Sequence, residues 1–298
     1  MLTLAWLILC PAIAALAKNV AVLKSDDFAP YDETLAGFAN TCENELREYN
    51  LDGKAENAGR IVAAVSEHRP DLVLAIGVLA AQVAQQRLQD FPVLFVMVPR
   101  PVELGLTGDN IAGIALDIPA GRQLEMYRSI VPGLSSLGVI YDPAKSGPLI
   151  DEARAAAARV GIELVAEPVD SRKRVPGALR GLLRRIDALW MVPDETVVTP
   201  ESFKFLLLTS FENNLPFLAA SDIFVKVGAL ASLTPDYRDI GRQGCELAME
   251  LASGDLRLAD EHVIAPAKVN VTINLKTARK IGVAIPDEIV SAAHAVYR

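Results

Sequence analysis

The sequence predicts an α/β protein made of two doubly wound lobes. Each lobe is a largely parallel sheet, and the chain crosses between the lobes three times. Three observations carry this. A short apolar run ending on a polar or glycine-containing turn, with a helical stretch directly after it, recurs most clearly at residues 19–25, 72–77, 93–98, 137–142, 188–193 and 216–221. Runs of that length, rich in Val, Ile and Leu and alternating with helices, mark parallel strands covered on both faces. The chain of 298 residues is long enough for two such lobes, each with its own core.

The elements follow in order. The first lobe opens with the strand at Asn19, a helix over 32–49 and a short second strand near 49–53. A helix over 57–68, the strand 72–77, a helix over 78–88 and the strand 93–98 come next. After Pro99-Arg100-Pro101 the chain runs through the Gly-rich loop 105–108 into a strand at 111–117, the first crossing. The second lobe alternates helix 120–131, strand 137–142, helix 148–160, strand 162–169, helix 175–186, strand 188–193, helix 201–213 and strand 216–221. Residues 226–233 read as a return crossing, 237–252 as a helix on the first lobe, and 262–274 as a strand crossing again. Helices over 275–281 and 287–296 complete the second lobe. The expected first lobe is therefore 18–117 with 228–264, and the second 118–227 with 265–298. Two such lobes joined by three crossings suggest a clamshell with its ligand in the cleft.

Composition narrows the function. A net charge of −8 argues against a nucleic-acid binder, which needs a basic face. Residues 1–17 are apolar and uncharged, and Ala15-Leu16-Ala17 has the form of a signal-peptidase site, which predicts cleavage before Lys18. The segment lacks the usual basic start, so a retained membrane anchor is the alternative. Cys10 follows Leu9, which is bulkier than the small residue a lipid-anchoring site needs. The later apolar stretches carry charges at helical spacing, so the expected product is exported and periplasmic. Cys42 and Cys245 then remain, both on predicted helices, either bridged or as two separate buried thiols.

In parallel sheets ligands bind outside the carboxyl ends of the strands, here Ser25, Gly77, Arg100, Asp142, Asp194 and Asp222. Ser25 and Gly77 precede helices whose free N–H groups suit a ligand carboxylate. Gly77 serves equally well as a tight strand-to-helix turn. Arg100 stands between two prolines and offers a bidentate fork for a carboxylate or phosphate, or an ion pair to Asp26 or Asp27. On the other lobe Asp142, with Ser146-Gly147 after it, Asp194 and Asp222 could hold a ligand amine, Asp194 and Asp222 foremost, or cap helices. Tyr31 and Phe28 lie in a polar loop and suit a pocket wall, whereas Phe224 suits the core.

A set of motifs carries a resemblance. They are Pro70-Asp71-Leu72-Val73-Leu74-Ala75-Ile76-Gly77, Phe95…Pro101…Gly105-Leu106 and Asn110-Ile111-Ala112-Gly113-Ile114. Gly138-Val139-Ile140-Tyr141-Asp142-Pro143, Pro193-Asp194, Val225-Lys226-Val227-Gly228-Ala229-Leu230, Gly241 and Ile273-Asn274-Leu275 follow in order. Together the chain resembles the bacterial ABC-transporter substrate-binding proteins that include the aromatic amino-acid binders, with the type I periplasmic-binding fold. The resemblance implies a small-molecule ligand, an ABC permease as partner, a monomer and no cofactor. The chain departs from that family where Arg100-Pro101 replaces the usual Asp-Pro and Gly77-Val78 the usual Gly-Thr, so that Val78 removes a hydroxyl from the pocket edge.

An enzyme would need chemistry that the sequence does not supply. His68, His262 and His294 lie away from the strand ends, there is no phosphate loop or nucleophile elbow, and the acids have no metal-ligand spacing. The expected function is capture of a small polar or carboxylate-bearing, amino-acid-like solute for an ABC permease. A sensor of the same fold, presenting its closed form to a membrane receptor or kinase, is the alternative.

Overall fold

A computed structural model describes residues 19–253 and 263–298. The amino-terminal segment with Cys10 and the expected cleavage before Lys18 lies outside the described residues. The chain forms two compact units, one holding the described residues to Asp117 and from Tyr237 to Ala267, the other Ile118–Asp236 and Lys268–Arg298.

The first unit starts β1 (Asn19–Lys24), α1 (Ala29–Thr41), β2 (Glu45–Asn50), α2 (Ala58–His68), β3 (Leu72–Ile76), α3 (Val78–Arg87), β4 (Val93–Val98) and β5 (Ile111–Ala115). These strands are parallel in the order β5-β4-β3-β1-β2. Strands β3, β4 and β5 are buried along their whole length, which is why they carry unbroken apolar runs. Strand β2 is the edge, reads Glu-Leu-Arg-Glu-Tyr-Asn and is largely exposed. The helix expected to run to residue 49 therefore ends at Thr41, and the second strand lies earlier than 49–53. An edge strand satisfies half its backbone from water and tolerates charge, so its sequence carries no apolar alternation.

The second unit repeats the plan: α4 (Ala120–Ile130), β6 (Ser136–Tyr141), α5 (Pro143–Val160), β7 (Glu163–Pro168), α6 (Val175–Leu182), β8 (Ala188–Trp190), α7 (Pro200–Glu212), β9 (Phe217–Ala219), α8 (Asp222–Lys226) and β10 (Ala231–Pro235). Its strands β10-β9-β8-β6-β7 again run parallel. Two expectations change here. Helix α5 begins at Pro143 rather than 148, because the Asp142 carboxylate caps it by accepting the Ala144 N–H at 2.9 Å. Residues 231–235 form a strand of this sheet and not part of a return crossing, so the chain goes back to the first unit at Tyr237 and not at 228.

There α9 (Tyr237–Ser253) and β11 (Val263–Ile264) complete the first unit, β11 pairing parallel with β5. The strand expected over 262–274 is interrupted, and β12 (Val269–Asn274) belongs to the second sheet, antiparallel to β10. Helices α10 (Leu275–Ile281) and α11 (Asp287–Ala292) follow, and the last helical piece stops early because β13 (Ala295–Tyr297) pairs with β12.

Alternation along the strands divides each core in two. In the first unit Ala21, Leu23, Val73 and Ala75 pack with residues of α2 and α3, while Val20, Val22, Leu72 and Leu74 pack with α1 and α9. Helices α1 and α9 touch backbone to backbone. A Cβ on Gly241 would stand 1.9 Å from the Thr34 carbonyl oxygen, and one on Gly37 2.0 Å from that of Arg238. The Cys42–Cys245 disulfide ties the end of α1 to α9 across a sequence separation of 203, which closes the alternative of two separate thiols.

Candidate functional site

Both sheets have the strand order in which the first strand lies between the second and the third. Their topological switch points, where loops diverge to opposite faces, lie between β1 and β3 and between β6 and β8. Seven of the nine sequence-predicted residues fall at these two places, and Arg100 and Asp222 do not.

In the first unit Ser25 follows β1 and is buried. Its Oγ accepts the Ala80 N–H at 2.9 Å, so it satisfies one of the open donors at the start of α3. Gly77 has φ 90° and precedes Val78, the half-buried first residue of that helix. A Cβ at Gly77 would lie 2.4 Å from the Tyr31 hydroxyl oxygen and 2.6 Å from Ser25 Oγ. Glycine is needed both for the left-handed turn and to admit these two oxygens. Burial first, then the negative charge of Asp26, pushes the Tyr31 hydroxyl up, while its hydrogen bond with Ser25 opposes them. Phe28, 53% exposed, stands edge-on to Tyr31 with ring centroids 5.2 Å apart. Ser25, Tyr31, Gly77 and Val78 thus form one constellation, and the helix terminus expected to receive a carboxylate already holds a serine oxygen.

Arg100 stands apart at the end of β4. Its backbone is left-handed, φ 44°, and its N–H donates to the Asp117 carboxylate. Its exposed guanidinium lies 3.3 Å from Glu103, not against Asp26 or Asp27. Burial holds the Asp117 carboxyl above the usual range, opposed by the Arg100 N–H and charge. Asp117 is a functional candidate that sequence reading left as a strand terminus. Its place at the end of the fifth strand was the available signal.

In the second unit Asp194 is 2% exposed, and both carboxylate oxygens are engaged. Oδ2 accepts the Asp142 N–H and the Ser146 hydroxyl, each at 2.8 Å, and Oδ1 accepts the N–H groups of Thr196 and Val197 at 3.0 and 3.1 Å. Such saturation keeps a buried carboxylate tolerable, and it clamps the loop after β8 to the start of α5. Asp142 is held below the usual carboxylate range by the Thr196 hydroxyl at 2.7 Å, then by the Ala144 N–H. Asp142, Ser146 and Asp194 are therefore one network. Asp222 is exposed at the start of the short α8, after Ser221, and outside that network. Phe224 packs on Phe203 with centroids 4.4 Å apart, in the core.

Comparison with known proteins places this geometry. Residues 36–297 match the sequence model of the family described as ABC transporter substrate binding protein. A "Tyrosine-binding protein" of Clostridioides difficile (strain R20291) is 25% identical over 281 residues, 89% of this chain and 81% of that protein. A ligand-free, open structure of a substrate binding protein with adhesive properties from Clostridium difficile superposes with a TM-score of 0.80 at 22% identity, covering 94% of this chain and 99% of that one. A domain from Streptococcus pneumonia in complex with L-Trp gives a TM-score of 0.62 at 22% identity, with 94% and 99% covered. These likenesses show the fold, that of the type I periplasmic-binding proteins, and the family is one of substrate binders and not of enzymes. The chain belongs to the ABC transporter substrate binding protein family.

Proposed function

We propose that the protein captures a small amino-acid-like solute outside the cytoplasm and delivers it, as a monomer, to an ABC permease. The observation that carries this is the coincidence of polar strand ends with both switch points: Ser25, Tyr31 and Gly77 in one unit, Asp142 and Ser146 in the other. In open α/β sheets such positions are where a solute is expected. Val78 shapes the edge of the first constellation, and Arg100 and Asp222 stand at other strand ends of the two units, after β4 and β9. Asp194 acts through the residues it holds. Amino-acid specificity is supported by the names of the relatives that bind tyrosine and tryptophan. Export is supported by the Cys42–Cys245 disulfide, a bond that persists in oxidising compartments.

Uptake of radiolabelled amino acids by cells with and without the gene tests delivery. Loss of uptake of one solute, restored by the intact gene and not by a Ser25→Val, Ser146→Val copy, is the expected result. Unchanged uptake of a solute that the purified protein binds would remove the permease from the account and favour a sensor.

A further inference from the structure

Resting on the solute-binding reading, the charges around the second switch point narrow the class of solute. A cavity of about 660 Å³ is lined by Lys145, Ser171, Arg172, Lys173, Glu195 and Thr196, all of the second unit. Lys145 comes from the first turns of α5 after β6, Ser171 to Lys173 from the loop after β7, and Glu195 and Thr196 from the loop after β8. The cavity therefore lies over three adjacent strand ends, β7, β6 and β8. Its size is that of pockets that take small organic ligands.

The lining holds three cations and one carboxylate. Glu195 lies 3.7 Å from Lys145, with both side chains largely exposed. Arg172 and Lys173 are exposed and form no ion pair among the described residues. Three other acids of this edge are turned to protein donors, and exposed Glu201 shares a neighbouring cavity with Arg172. Asp194 accepts four hydrogen bonds, Asp142 accepts the Thr196 hydroxyl and the Ala144 N–H, and Asp170 accepts the Ser171 hydroxyl at 3.0 Å and lies 3.4 Å from Arg174. The sequence suggested an amine held by Asp194 and Asp222 foremost, with Asp142; Asp194 and Asp142 are taken up by protein donors, and Asp222 does not line this cavity. The structure leaves a positive excess at the cavity instead.

We propose that this cavity binds an oxyanion beyond the α-carboxylate of a small amino-acid-like solute, a side-chain carboxylate or a phosphate, so that the second unit selects for an acidic group. Arg172 offers the planar fork and Lys145 and Lys173 the point charges that such a group requires.

Calorimetric titration of the purified protein at low salt tests this with L-glutamate against L-glutamine, O-phospho-L-serine against L-serine, and inorganic phosphate alone. An acidic solute is expected to bind at least about tenfold more tightly than its neutral partner, with the gain shrinking as salt rises. The glutamate, phosphoserine and phosphate arms tell which oxyanion is read. The double variant Arg172→Gln, Lys173→Gln changes only exposed side chains and should weaken acidic binding about tenfold without altering neutral binding. Arg180→Gln on the exposed part of α6 should change neither. Equal affinity for acidic and neutral partners, or acidic binding that the double variant leaves intact, overturns the proposal while a bound neutral solute still upholds capture. Binding of no solute of either kind defeats both.

Discussion

Replacing Asp194 with asparagine asks whether this residue frames the site or touches the solute. Each carboxylate oxygen accepts two hydrogen bonds, from the Asp142 N–H and Ser146 hydroxyl on one side and the Thr196 and Val197 N–H groups on the other. With the amide NH2 on the Oδ2 side it meets the Asp142 N–H and the Ser146 hydroxyl, which can turn to accept, so in the less costly orientation one bond to a charged acceptor is lost, and a donor left facing a donor, at a site that is 2% exposed. At about 1.5–3 kcal/mol for such a bond, the second unit should lose at least about 1.5–3 kcal/mol. That is a large part of a typical domain stability of about 5–15 kcal/mol. Trp190, buried on β8 a few residues upstream, reports this unit by its fluorescence during urea unfolding. The midpoint should fall with the slope unchanged. A shift below about 0.5 kcal/mol together with lost solute binding would refute the framing argument and make Asp194 a ligand contact.

Other outcomes follow from the same geometry. Reducing the Cys42–Cys245 bond should lower the first unit's stability by about 2–5 kcal/mol, read as a fall in melting temperature with added dithiothreitol. Gly241→Ala forces a Cβ onto the Thr34 carbonyl and should cost about 1–3 kcal/mol or more in urea unfolding, whereas Gly59→Ala, with open space around it, should cost little. Gly77→Ala should both destabilise and drive the Tyr31 hydroxyl off Ser25, and Tyr31→Phe should partly relieve that crowding; equal losses in single and double variants would argue against it. Because the Asp142 pKa is depressed in the fold, its contribution is present above the ordinary carboxylate pKa and is lost as pH falls through the folded value. Thr196→Val should move the Asp142 titration, followed by carboxyl NMR, upward and flatten this acid dependence.

How far the sequence could be read depended on burial. Strands β3 and β4, and β6 from Leu137 onward, were legible because they are covered on both faces and must be apolar there. Strand β2 was not, since charged residues along an exposed edge carry a helix as readily as a strand. Strand β10, Ala-Ser-Leu-Thr-Pro, was hidden by its polar residues, although Ser232 is fully buried. At the site, Ser25 and Gly77 were found because a strand end followed by a helix start is a local pattern. The saturation of Asp194 depends on Ser146, 48 residues away, and is visible only once β6 and β8 are neighbours. The cations Arg172 and Lys173 were not legible as site residues because only the pairing of β7 with β6 brings them over the same cavity as Lys145 and Glu195.

The most direct test of solute capture is a thermal-shift screen of the purified protein against amino acids, organic acids, nucleosides and sugars. A solute that binds only the folded protein adds about 2.7 kcal/mol at a hundredfold excess over its dissociation constant. A clear rise in melting temperature with one amino-acid-like class, reduced in Ser25→Val and in Ser146→Val, is the predicted result. A flat response across the library, from protein with a cooperative melt, would contradict the account.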